Sequence, residues 1–251
     1  MPASKIKRYP ITIDGEMTQI GTANELAIAL DVLQGQFDHA ALLQLRPHLA
    51  EIIAGATGFM TVVKSLSIED QLYLIQSIGP DLAEVLNSAR HLRDILATMA
   101  EQKVEEALLT TLGRAGLQHL ILTGAELAEV LEWVYGECDA LALELLGDDY
   151  VRGLCRHATD LSAILHNLDF SLQARLLDRL GWPFVVGLVK DGYDLAYLLR
   201  ALPPATSAGL LHHFSGPQLK ELIGNATEWT YLYQRLEPAE AELLLSALNQ
   251  P

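Results

Sequence analysis

At 251 residues, half of them hydrophobic and only 6% aromatic, the chain can hold one large domain or two small ones and is too apolar to be disordered. Thirty-two Asp and Glu against 17 Lys and Arg leave a net charge of −15 and a pI near 4.8. That balance excludes general nucleic-acid binding and a peripheral role on anionic membranes, since both need clustered cations.

The first residues, MPASKIKRYP, are basic but lead into no apolar segment, so no secretory signal is expected. Residues 1–21 lie outside the repeat that follows, and within them YPITI-DG-EMTQI, two short alternating runs around a turn dipeptide, predicts a small β-hairpin. Such an element can cap a helical array or serve as an arm that pairs with a partner strand.

From residue 22 onward a repeat runs to the end of the chain. TANELAIALDVL from Thr22 aligns without gaps with segments starting at Gly55, Ser88, Thr123, His157, Asp191 and Asn225. Their apolar residues fall at i, i+3, i+4 and i+7, as in Leu127, Val130, Leu131 and Val134. That spacing is one face of an α-helix. Thr22, Ser88, Thr123, Asp191 and Asn225 stand where an N-cap belongs, and Glu25, Glu126, Asp160, Asp194 and Glu228 follow three residues after the cap slot. The pairing is that of a capping box. The residue after the cap is always Ala or Gly, which predicts close packing against the neighbouring repeat. Trp229 replaces the leading Leu of its segment and is expected in the core.

A second helix follows in each unit and ends on Gly79, Gly113, Gly147 or Gly181, with Ser215 and Asn249 in that slot later. Pro204 and Pro238 open two of these helices. A third, shorter helix closes each unit except the last. The expected fold is therefore all-α: residues 22–251 as a right-handed α-solenoid of about seven short helical repeats, a superhelix of the HEAT, armadillo or tetratricopeptide kind. The last helix, AEAELLLSALNQP, looks like the internal ones, so end-to-end self-association through the C-terminal repeat is expected unless a partner or further chain covers it. No stretch approaches the ~18 apolar residues of a membrane span, so no membrane partner is expected.

No phosphate-binding loop, nucleophile elbow, HExxH or EF-hand string occurs, and no enzyme activity, cofactor or metal is expected. Cys138 and Cys155 are too few for a disulfide framework and read as reduced thiols. Cys155, His157, Asp160 and His166 are close in sequence, but their positions in the repeat point them in different directions. His212 and His213 are adjacent on a helix and cannot face one way. Trp133, Tyr197 and Tyr231 fall at helix positions that the repeat otherwise leaves polar or small, and are the candidate partner-binding residues.

The pattern LI-x-TG-x-x-L-x-x-VL, Leu120 to Val134, resembles helical repeat arrays in effector proteins of intracellular bacteria. The resemblance implies a fold and an interaction role, with no catalytic motif. The expected function is a non-enzymatic scaffold for a protein or peptide, in the cytoplasm, or in the host cytosol if the chain is a secreted effector. The alternative is an acidic inhibitor or nucleic-acid mimic that fills a basic groove on a partner protein.

Overall fold

The computed structural model describes residues 6–13, 15–33, 38–99, 101–236 and 238–249. Apart from one two-stranded sheet, the regular structure of these residues is helical, so the chain is all-α. No helix of the described residues is long and apolar enough to cross a membrane. The chain divides into two compact units, Met1–Ile121 with Trp133–Leu145, and Leu122–Glu132 with Leu146–Pro251.

The predicted hairpin forms: β1 (Tyr9–Ile13) pairs antiparallel with β2 (Glu16–Ile20). Asp14 of its turn lies outside the described residues. Ile11 and Ile20 are buried, which anchors the hairpin by its apolar side. Helices α1 (Ala23–Leu33), α2 (Asp38–Leu45), α3 (Leu49–Ile53), α4 (Ala56–Val63), α5 (Ile68–Ile78), α6 (Leu82–Leu86), α7 (Ala89–Leu96) and α8 (Gln102–Leu120) complete most of the first unit. After α9 (Gly124–Leu131) of the second unit, α10 (Cys138–Leu146) returns to the first. The second unit continues with α11 (Asp148–Leu154), α12 (Ala158–His166), α13 (Phe170–Leu180), α14 (Trp182–Leu188), α15 (Gly192–Ala201), α16 (Pro204–Leu211), α17 (Gly216–Leu222), α18 (Ala226–Arg235) and α19 (Pro238–Leu248).

Helices α1, α4, α7, α9, α12, α15 and α18 all begin at the small residue that follows the expected cap. The caps explain why. The Thr123 hydroxyl accepts the Glu126 N–H at 3.2 Å, while Glu126 accepts the N–H groups of Leu122 and Thr123 at 2.8 and 3.0 Å. Asp160 accepts from Arg156 and His157, Asp194 from Lys190, and Glu25 from Gly21. Glu228 differs: its Oε2 accepts the N–H of Gly192, so it caps the start of the preceding α15 instead of its own helix.

Within the first unit α4 packs on α1 and α7; within the second, α12 packs on α9 and α15, and α15 on α18. Leu161, Ile164 and Leu165 of α12 are fully buried there, each worth about 1.5–3 kcal/mol relative to exposure. The small residues permit this approach. A Cβ on Gly124 would sit 2.7 Å from Asp160 Cβ and 3.1 Å from the Leu154 carbonyl oxygen. Gly124→Ala should therefore lower stability by about 1–3 kcal/mol through overpacking. In α11, by contrast, a Cβ on Gly153 would meet nothing within 4 Å. Gly153→Ala should stabilise by roughly 0.5–1 kcal/mol. Urea denaturation of both variants checks the pair; equal signs would refute the packing account.

The helix-ending glycines behave as their slot requires. Gly79, Gly113, Gly147 and Gly181 have φ of +59°, +55°, +82° and +83°, the left-handed region that costs a side chain 1–2 kcal/mol. Gly113 stands inside the Gln102–Leu120 span with a non-helical backbone (φ +55°, ψ −170°), so α8 is two helical segments that meet at a kink there, as the expected helix end requires.

Eight residues before Gly79, Gly113, Gly147, Gly181 and Ser215 lies a polar residue: Gln71, Glu105, Asp139, Gln173 and Ser207. All are buried except Gln71, which is half-buried. The Gln173 amide donates to the carbonyls of Leu165 and Leu168 at 2.7 and 3.2 Å. Gln71 serves Val63 and Leu66, and Ser207 serves Leu199 and Leu202, at the same sequence offsets. These side chains add a donor at carbonyls where the preceding helix ends; Val63, Leu165 and Leu199 otherwise accept the N–H groups of Leu66, Leu168 and Leu202 in a tightened last turn. Glu105 cannot donate while ionised. One of its oxygens accepts the Tyr135 N–H at 3.1 Å, and the other is buried without a partner.

Candidate functional site

Tyr197 and Tyr231 lie on α15 and α18 as expected, with ring centroids 6.5 Å apart. Tyr193, one turn before Tyr197, packs edge-on to Tyr231 at 4.6 Å. Tyr197 remains 38% exposed and Tyr231 is half-buried. These tyrosines form one aromatic surface on two packed helices.

Trp133 is placed differently from the expectation. It is 38% exposed but stands in a turn, two residues past the end of α9, and not on a helix. The Glu132 N–H makes the last helical bond, to Ala128, after which the chain turns and brings the Tyr135 N–H to buried Glu105. Trp133 belongs to the first unit and the tyrosines to the second. Trp229, expected in the core, is half-exposed: it lines a shallow cleft with Lys220, Ile223 and Leu248, its ring 6.4 Å from that of Tyr233. At the end of a run of packed helices, α18 has no following first helix to cover it among the described residues.

Between α12 and α15 runs an open cleft of about 420 Å³. Thr159, Ser162, Ala163, His166 and Asn167 line one side; Tyr197, Arg200 and Ala201 line the other. Side chains cross between the helices that form it. Ser162 Oγ donates to the Tyr197 carbonyl at 2.8 Å, and Asn167 Nδ2 donates to the Ala128 carbonyl at 2.8 Å, tying α12 to α15 and α9. No other described residue engages the side chains of Arg200 and His166. The arrangement can position a hydrogen-bond acceptor beside an aromatic wall; it holds no nucleophile paired with a base.

Sequence reasoning found Tyr197 and missed Arg200 and the cleft role of His166. The signal was present. His166 follows the segment start His157 by nine residues, as Arg200 follows Asp191, so the two share a register on adjacent first helices.

The Cys155–His166 neighbourhood does not converge. Asp160 is occupied by two backbone N–H groups, His166 faces the cleft, and burial pushes the Cys155 thiol up to about 12. Burial, assisted by Glu105, likewise raises Cys138 to about 11, so neither thiol is a thiolate at neutral pH. Among the described residues no three His, Cys, Asp or Glu side chains are placed to share a metal ion. His213 instead stacks on Trp182 at 4.9 Å.

The first unit has a cleft of about 680 Å³ beside β2 and α1, lined in part by Glu16, Glu25, Ile28 and Val32. Ile28 and Val32 are exposed there. Gly21 and Arg8 hold the Glu25 carboxylate below its usual range, the Gly21 N–H contributing most. Comparison of the chain with protein-family models, curated proteins and solved structures finds no match.

Proposed function

We propose that the chain is a right-handed α-solenoid of about seven repeats that acts as a non-enzymatic scaffold for a protein or peptide partner in the cytoplasm, or in a host cytosol if the chain is delivered there. The observation that carries this reading is the surface of α12, α15 and α18, where exposed Tyr197 adjoins an open cleft on helices packed side by side. Stacked first helices present such extended surfaces, and tyrosine supplies contact area at low entropic cost. The recurrence of helix starts at one register, from Ala23 to Ala226, supports the repeat. Exposed Leu245 on α19 favours end-to-end association as a second use of the C-terminal repeat.

The test is affinity capture from a lysate with the wild-type chain and with Tyr197→Ala. The captured protein is then titrated against both. Tyr197→Ala should weaken binding about tenfold or more, the cost of truncating an interface anchor, with the thermal transition unchanged. A substrate screen that found turnover, abolished by one polar substitution, would overturn the reading. The net charge of −15 favours one alternative, an acidic mimic filling a basic groove. That reading requires affinity that falls steeply as salt rises, and salt-insensitive binding excludes it.

A further inference from the structure

The cleft between α12 and α15 has an electrical character opposite to that of the chain around it. The chain carries 32 acids, yet none lines this cleft, which holds Arg200 and His166. Two of its other polar side chains are committed: Ser162 Oγ to the Tyr197 carbonyl, and Asn167 Nδ2 to the carbonyls of Ala128 and Ala163. The guanidinium and the imidazole, with the neutral hydroxyls of Thr159 and Tyr197, are thus the donors left for a ligand, and the guanidinium is the charged one. An arginine fork matches the two oxygens of a carboxylate, and a planar group beside it can lie on an aromatic ring.

We infer that this cleft binds an acidic residue of a peptide partner, its carboxylate on Arg200 and His166 and its neighbouring side chain on Tyr197. The inference rests on the scaffold reading and gives its partner a chemistry. A free anion could use Arg200 and His166 but would leave Tyr197 without a contact. The aromatic surface continues from Tyr197 to Tyr193 and Tyr231, 4.6 Å apart, which suits an extended chain. The partner's contact segment is therefore acidic, although the net charge of the whole protein favours a basic one.

The probes are three pools of blocked pentapeptides, random at every position except the middle one, which is Glu, Gln or Lys. Each is titrated into the full-length chain while the Arg200 Nε–Hε resonance is followed, assigned by its loss in Arg200→Gln. The Glu pool should shift this resonance and bind about tenfold more tightly than the Gln pool, the size of one charge-assisted hydrogen bond. Arg200→Gln should abolish that preference without altering the thermal transition, and Tyr197→Ala should weaken both pools alike. Equal binding of the Glu and Gln pools, preference for the Lys pool, or no binding of any pool overturns the inference. So does inorganic phosphate that shifts the resonance while the Glu pool does not. If a captured protein binds wild type and Arg200→Gln equally, the scaffold reading stands and this inference falls; if nothing is captured and no pool binds, both fall.

Discussion

Gln173→Glu should lower stability by about 3–5 kcal/mol, the cost of an uncompensated buried charge. The Gln173 amide nitrogen donates to two carbonyls at 2.7 and 3.2 Å in a site closed to water. A carboxylate there would put negative oxygen against both carbonyl dipoles. In a chain of this size the loss corresponds to a fall of roughly 10 °C or more in Tm. Gln173→Leu, which removes the donor without adding charge, should cost less, about 1–3 kcal/mol. Calorimetry of the two variants measures the ordering; a leucine variant less stable than the glutamate one would show that shape, not the carbonyl bonds, dominates.

Glu105→Gln is the reverse case and should stabilise the protein by about 1–2 kcal/mol at neutral pH, because it replaces a buried oxygen that has no partner. An amide at this position keeps an oxygen for the Tyr135 N–H and adds a donor, as Gln173 and Gln71 have at the same register. The pH dependence fixes the sign. Burial raises Glu105 above its ordinary value of 4.5, against the smaller opposing effect of the Tyr135 N–H. The folded state therefore holds the proton more tightly than the unfolded one. The stability that this confers is complete below 4.5 and is lost as pH rises through the raised folded value. Glu105→Gln should remove this decline, and its advantage over wild type should grow from acid to neutral pH. A difference that stays constant from pH 4 to 8 would be inconsistent with a titrating Glu105.

The helix starts were legible because capping is local chemistry: Thr123 and Glu126, or Asp191 and Asp194, are set by spacing alone. The hairpin was legible for the same reason. The polar column was not, although it recurs as regularly as the caps. Gln173 and Ser207 differ in type, and their shared role appears only when the carbonyls they face are in place, while Glu105 at the same register meets a backbone N–H instead. Trp133 was misplaced because the register continues the helical pattern past Leu131, whereas a contact thirty residues away, between Tyr135 and Glu105, draws the chain into a turn. Arg200 was overlooked for a third reason. Aromatic residues attract notice one at a time, while a cleft belongs to two helices.

The hairpin has a consequence for how the protein can associate. Gln44 donates to the Thr12 carbonyl at 3.0 Å and accepts the Thr12 N–H at 2.9 Å, standing in for a strand neighbour on the outer edge of β1. Thr12 and Pro10 are the β1 residues that face that edge among those described, and Pro10 has no N–H to offer. Only the far side of β2, where Met17 and Gln19 face out, can therefore accept another strand. Two copies joined along it would make a four-stranded sheet whose outer edges are both β1 edges, already blocked. Growth would stop at that pair by geometry alone, so pairing along this edge of the described strands would close as a dimer and not propagate as a fibre.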